Sequence, residues 1–145
     1  MMVETEKIVE TLGLRPERRR NLNSWEALHH LILVGLPFST YTHILCTFKL
    51  TTTEAADIFH IPTRTLARRR ATRRLHPDES DRVFRFARIA AKASDVLGSE
   101  EKASLWFHRP NRALQHQAPL TLLGTDAGIE QVEAVLGRLE HGVFS

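Results

Sequence analysis

Cysteine is almost missing from this chain of 145 residues: Cys46 stands alone, among apolar neighbours in the sequence. It can form no intramolecular disulfide and no cysteine-based zinc finger, and a lone thiol fits a reducing, cytoplasmic setting. Long apolar runs are missing too. The longest, Leu31 to Leu36, falls far short of the roughly 20 residues that a membrane-spanning helix needs. The N-terminal stretch MMVETEKIVETLG carries acids and no apolar segment of the kind a secretory signal has. Six prolines, seven glycines and no low-complexity tract argue against a long disordered tail. What remains, with an apolar fraction of 42%, is enough for one domain's core or for two small helical modules packed together.

Signatures of catalysis are equally scarce. There is no glycine-rich phosphate loop and no Gly-x-Ser-x-Gly elbow, and Cys46 has no local histidine or acid of the kind that activates a thiol. The eight histidines are scattered, only His29 and His30 being adjacent, and none falls at the i, i+4 spacing of a helical metal site. The expectation is a protein that is not an enzyme and holds no cofactor or metal.

Acids, finally, are missing from one stretch in particular. Sixteen of the twenty cations are arginine, and six of those lie between Arg64 and Arg74 without an acid among them. From Glu100 onward the balance reverses, with six acids facing Lys102, Arg109, Arg112 and Arg138. A run of charge is ordinarily a solvated helix face, but such a face mixes signs. An arginine run without acids suits phosphate, whose oxygens match the guanidinium fork.

Almost every segment reads as helix, and the fold class expected is all-α. Glu4 to Leu12 is a short amphipathic stretch closed by Gly13, with a basic patch at Arg15 to Arg20 behind it. Asn23 or Ser24 can cap a helix through Trp25, Leu28 and Ile32 that stops near Gly35 and Pro37. Ser39 opens another, with Tyr41, Ile44 and Phe48 at helical spacing; Phe48 to Thr53 has the β-branched content of a short extended piece, though no partner strand is in sight. Asp78 to Leu97 is the longest helix, its seam of Val83, Phe86, Ala90, Ala93 and Leu97 spaced three and four apart. That seam suits an intramolecular core, with a subunit contact as the other reading. Ser99 caps the next helix, Asn111 to Leu114 and Pro119 to Leu123 form short turns, and Thr125 or Asp126 caps a last helix over Ile129, Val132, Leu136 and Leu139 that ends at Gly142.

The stretch Thr52 to Arg70 fits a helix-turn-helix. Ala56 supplies the small residue such a motif needs inside its first helix, with Ala55 and Phe59 completing the inward face. Ile61 in the turn and Leu66 in the second helix pin the two helices together. Pro62 cannot extend the first helix, and Thr63 can cap the second. His60 stands where a glycine is usual, and histidine tolerates positive φ less well. With Thr63 as cap, Arg64, Thr65 and Arg68 occupy the half of a recognition helix that meets base edges, while Arg69, Arg70, Arg73 and Arg74 fall to phosphates. The plainer alternative is an α–α corner with an exposed basic face.

The run WFHRPNRAL (Trp106 to Leu114) followed by PLTLLGTDAGIEQVEAVLGRLEHGVFS (Pro119 to Ser145) resembles the toxin-binding domain of the Xre/MbcA/ParS antitoxins. The family pattern has a Trp-Phe pair before Pro-Asn-x-Ala-Leu, then Pro-x-x-Leu-Leu, a Thr-x-x-Gly opening the last helix, and a Leu-x-Arg-Leu-Glu-x-Gly-Val ending with an aromatic. Trp106, Phe107, Pro110, Asn111, Ala113, Leu114, Pro119, Leu122, Leu123, Thr125, Gly128, Leu136, Arg138, Leu139, Glu140, Gly142, Val143 and Phe144 stand in those places. Together with the helix-turn-helix, the resemblance covers the chain from about Trp25 to its end.

The resemblance implies a type II antitoxin that binds double-stranded operator DNA as a homodimer and neutralises a RES-domain, NAD-consuming toxin without chemistry of its own. It implies toxin contacts by Trp106, Asn111, Arg138, Glu140, His141, Gly142, Val143, Phe144 and Ser145, with the chain end near the toxin's NAD cleft. Physical sense agrees: Glu140 could compete for the arginines that hold a pyrophosphate, and an apolar tail after a helix stop suits a partner's groove. The division expected is an N-terminal extension over 1–22, a helix-turn-helix domain over 23–77, and a helical linker with the toxin-binding domain over 78–145. The alternative function is a free-standing helix-turn-helix regulator whose C-terminal domain only oligomerises; an enzyme acting on nucleotides has no site to support it.

Overall fold

The computed structural model describes residues 2–15 and 21–142. Residues 16–20 of the basic patch, and Val143, Phe144 and Ser145 of the tail, lie outside the described residues. Among the described residues the elements are helical, in agreement with the all-α expectation: α1 (Met2–Thr11), α2 (Trp25–Val34), α3 (Phe38–Thr47), α4 (Thr52–Phe59), α5 (Thr63–Thr72), α6 (Pro77–Leu97), α7 (Glu100–His108) and α8 (Asp126–Glu140). Two short 3-10 turns, Arg112–Leu114 and Pro119–Leu122, join α7 to α8. Local chemistry sets the boundaries. Ser24, Ser99 and Thr125 each accept the backbone N–H three residues on, at 3.1, 3.1 and 3.0 Å, which satisfies an otherwise orphaned donor of the first turn. Pro77 opens α6 where no intrahelical donor is needed, and Gly98 closes it at φ +108°.

The extended piece expected over Phe48 to Thr53 is a turn instead. Lys49 takes φ +55°, the Leu50 N–H reaches back to the Leu45 carbonyl at 2.9 Å, and Thr51 caps α4. Thr51 Oγ1 accepts from the Glu54 N–H at 3.1 Å while Glu54 Oε1 accepts from the Thr51 N–H at 2.8 Å, a reciprocal cap that starts a helix just there.

The long helix α6 is the axis of the molecule, with α1, α2, α4, α7 and α8 packed around it. Its seam is intramolecular core: Val83, Ala90 and Ala93 are fully buried and Phe86 is 2% exposed. Phe86 is the hub of an aromatic cluster, with ring centroids 5.6 Å from Phe48, 5.6 Å from Phe59 and 5.9 Å from Phe107. Edge-on and tilted rings at such distances add stabilisation beyond their buried area. The cluster draws the end of α3 together with α4, α6 and α7 into one core. Ile8, Val9, Leu12 and Leu14 are buried, so α1 packs into the same core.

A candidate DNA-facing helix and a candidate toxin-facing end

The motif α4–turn–α5 is held by Ala55, Ile58, Phe59 and Ile61, all buried, and by the half-buried Leu66. Ala56 is exposed and does not fill the small-residue role expected of it; the fully buried Ala55 is the small side chain on the inward face. Pro62 occupies the cap position of α5 and Thr63 is the first helical residue, with no side-chain cap bond, so Thr63 is not the cap. His60 does adopt the left-handed conformation, at φ 54° and ψ 41°. Its ring pays back the strain: Nε2 lies 2.7 Å from the carbonyl oxygen of Gly124, a hydrogen bond no glycine could make. A β-carbon on Gly124 would stand 2.6 Å from the Asp57 carbonyl oxygen, so the absence of a side chain there lets the two backbones close.

On α5 the arginines divide by face. Arg64 and Arg68, one turn apart, are exposed, and Arg68 Nη2 lies 3.4 Å from the hydroxyl of the half-buried Thr65. Arg69 points the other way. Its Nε donates to Glu79 Oε1 at 2.8 Å, its Nη2 lies 3.0 Å from His76 Nδ1, and its side chain is only 12% exposed. Arg69 is therefore a structural ion-pair member rather than one of the free phosphate contacts expected. The same Glu79 oxygen accepts the His76 N–H at 2.8 Å at the start of α6. Burial pushes the Glu79 carboxyl up, but the hydrogen bonds from Arg69 and His76 and the charge of Arg69 outweigh it and hold the group below its ordinary value.

Beyond the helix, Arg73 takes φ +64° and turns the chain back. The Phe38 N–H donates to the Arg73 carbonyl at 3.0 Å and the Leu75 N–H to the Leu36 carbonyl at 2.9 Å, a short clasp between the ends of α2 and α5. Arg73 and Arg74 are both exposed.

At the other end of the chain, α7 turns Phe107 fully inward and leaves Trp106 half-buried against it, ring centroids 5.6 Å apart. Leu105 beside it is 52% exposed, a large apolar side chain that helical periodicity assigned to no role. Asn111 holds the first 3-10 turn: its Oδ1 accepts the Ala113 N–H at 2.9 Å, and its own N–H donates to the Gln117 carbonyl at 3.0 Å. Gly128, buried at the start of α8, packs its α-carbon against the second turn, and a β-carbon there would fall 1.7 Å from the Leu122 carbonyl oxygen. Arg138, Glu140, His141 and Gly142 lie exposed at the end of α8, where Gly142 takes φ +75° and turns the chain off the helix axis. Thus Leu105 and Trp106 sit on one helix and the charged C-terminal turn on another. Glu140 lines a groove with Lys7, Arg88 and Glu133, in which Arg88 and Glu133 pair at 3.2 Å.

Among the described residues, no cluster of histidine, cysteine and acidic side chains could hold a metal ion, and no helix is long and apolar enough to cross a membrane. Cys46 is exposed on α3.

Comparison with known proteins assigns both ends. Residues 27–88 match the antitoxin Xre-like helix-turn-helix domain, and residues 92–142 match the antitoxin Xre/MbcA/ParS C-terminal toxin-binding domain. The chain is 36% identical over 130 residues to an Antitoxin Xre of Yersinia enterocolitica, covering 77% of this chain and 88% of the relative. It is 40% identical over 83 residues to an Antitoxin Xre of Pseudomonas putida, covering 57% and 52%. Against the mycobacterial cidal antitoxin MbcA of Mycobacterium tuberculosis it is 30% identical over 115 residues, covering 77% and 97%. With a helix-turn-helix and a toxin-binding domain matched in order, and the Yersinia and mycobacterial relatives covered over 88% and 97% of their length, the chain belongs to the Xre/MbcA/ParS family, antitoxins of toxin–antitoxin systems.

Proposed function

We propose that this antitoxin neutralises a RES-domain toxin by covering it with the C-terminal domain and placing the end of the chain in the toxin's NAD site. On the same reading it binds operator DNA in the cytoplasm, as a homodimer, and so represses its own operon. The observation that carries the reading is the conjunction, in one chain, of an exposed acid-free arginine face on α5 with an exposed C-terminal turn bearing Arg138, Glu140 and His141. Inhibition needs no chemistry from this chain. A carboxylate at Glu140 competes with a pyrophosphate for the cations of the cleft, and the body around Leu105 and Trp106 supplies apolar area. On the DNA side, Arg64, Thr65 and Arg68 read base edges while Arg73 and Arg74 meet phosphates. A two-fold dimer would present α5 to two half-sites about one helical turn apart.

The test is co-expression with the toxin encoded beside it, reading growth and cellular NAD. Deleting residues 140–145 should leave folding and DNA binding intact, because the end of a terminal helix frays at little cost, and should abolish protection. Glu140→Lys should do the same by setting cation against cation. Full protection by both variants would overturn insertion of the chain end into the NAD site.

A further inference from the structure

Beside the recognition helix lies a cavity of about 620 Å³ whose lining has one sign of charge. Arg15, Arg70 and Arg73 face it from two separate segments of the chain, with Ser39 and Thr42 from the first turns of α3, and no acid among the described residues lines it. Among the described residues none of these three guanidinium groups has an acidic partner; like charges around one space repel each other, and an anion between them relieves the repulsion. The geometry gives each a defined place. Gly13, at φ +70°, turns the chain so tightly against α3 that a β-carbon would meet the His43 ring at 2.4 Å, and this brings Arg15 to the cavity rim. The Arg70 guanidinium carbon stands over the Phe38 ring, 5.5 Å from its centroid. A cation–π contact uses none of the guanidinium N–H donors, which are the groups that grip phosphate in a bidentate way.

The first turn of α3 adds a fractional positive charge, since Pro37 at its cap supplies no side-chain bond and no acid stands in that turn. The Thr42 hydroxyl donates to the Ser39 carbonyl at 3.1 Å, and Ser39 itself is exposed, its hydroxyl a donor at the cavity lining.

We infer that this cavity is a seat for one backbone phosphate of bound DNA, gripped by Arg15, Arg70, Arg73 and Ser39. The inference rests on the reading of α5 as the DNA-facing helix. Arg70 stands on the flank of α5 rather than on the ridge of Arg64 and Arg68, so the seat positions the duplex and carries no sequence preference. The N-terminal stretch thereby becomes part of the DNA-binding surface, although in sequence it lies 50 residues and more before the arginines it joins.

The full-length protein decides the matter by fluorescence anisotropy on a duplex of random sequence and on an operator duplex, across a salt series. Ser39→Glu sets a carboxylate at the cavity and, by helix-dipole logic, leaves the melting temperature equal or raises it. Arg70→Gln removes one cation, and Gln131→Glu, exposed on α8, is the control for net charge. Each of the first two should weaken both duplexes alike and lower the slope of log Kd against log salt by about one, while the control keeps the wild-type slope. Unchanged slopes in both variants, with wild-type binding intact, would overturn the phosphate seat and leave the DNA-binding reading standing. A rise in melting temperature with inorganic phosphate that Arg70→Gln abolishes, alongside unchanged slopes, would assign the cavity to a free anion and refute its use for DNA. Wild-type protein that bound neither duplex would refute the DNA-binding reading itself, and the seat with it.

Discussion

Removing the Glu79 carboxylate should unfold this protein more readily than removing any arginine on the exposed ridge of α5. The side chains of Arg69 and Glu79 are 12% and 7% exposed, and one oxygen of Glu79 accepts both the Arg69 guanidinium and the His76 N–H at 2.8 Å. Glu79→Ala strands a shielded cation and an N–H of the first turn of α6 together. Breaking a buried pair from one side costs roughly 3–5 kcal/mol, and we expect about 3 kcal/mol because Arg69 keeps its approach to His76. For a chain of this size that is a fall of about 10 °C in melting temperature. Glu79→Gln preserves the acceptor geometry and loses only the charge, so it should cost about half as much.

The pH dependence gives an independent check. Glu79 titrates below its ordinary value in the folded protein, so its contribution is complete above the unfolded carboxyl pKa of about 4.3. That contribution is lost as pH falls through the lower, folded value. The gap between wild type and Glu79→Ala in chemical denaturation should therefore be constant from pH 7 to about 5 and close in stronger acid. A double-mutant cycle with Arg69→Ala should show coupling of about 1–3 kcal/mol. A Glu79→Ala variant melting within about 2 °C of wild type at pH 7, or a gap that stays open in acid, would refute the structural role given to the pair.

Further outcomes follow from the same structure. Gly128→Ala drives a β-carbon to 1.7 Å from the Leu122 carbonyl oxygen and should destabilise by about 3 kcal/mol in denaturant titration. Gly137→Ala on the same helix meets nothing within 4 Å and should stabilise by about 1 kcal/mol. Leu105→Asp, at a site 52% exposed, should melt within about 1 kcal/mol of wild type, as surface changes do; protection against the toxin in co-culture should be lost. Arg64→Ala and Arg68→Ala should each relax sequence preference in footprinting at a cost of about 1–3 kcal/mol, with stability unchanged.

Reading the sequence located most helix ends, because caps and stops are local. Ser24, Ser99, Thr125 and Gly98 act within three or four residues of themselves, and each does what its neighbours dictate. The α6 seam was equally plain from periodicity. What stayed hidden depended on partners remote in sequence or on the opposite helix face. Arg69 looks like its neighbours until Glu79, across a break in the helix, is brought beside it. His60 looks like a poor turn residue until Gly124 arrives, 64 positions later, to accept its ring. Ala55 and Ala56 are adjacent and alike, and only the packing selects the first. The burial of α1 follows from the surface of α6 rather than from its own ten residues. Of the candidate toxin-facing set, Asn111 gains a turn-holding role and the last three residues lie outside the described structure.

The two matched domains meet on a single rod. One match ends at residue 88 and the other begins at 92, both inside α6, whose 21 residues span about 31 Å without a proline or glycine past its first position. A helix so crowded on several sides is a poor hinge. The bearing of the arginine ridge relative to the toxin-facing end is therefore inherited by whatever each end holds. A bound toxin would announce itself at the DNA as bulk at a fixed azimuth, and azimuth along a duplex repeats every helical turn of about 34 Å. Whether two loaded antitoxins fit side by side on neighbouring sites then becomes a matter of the base pairs counted between them.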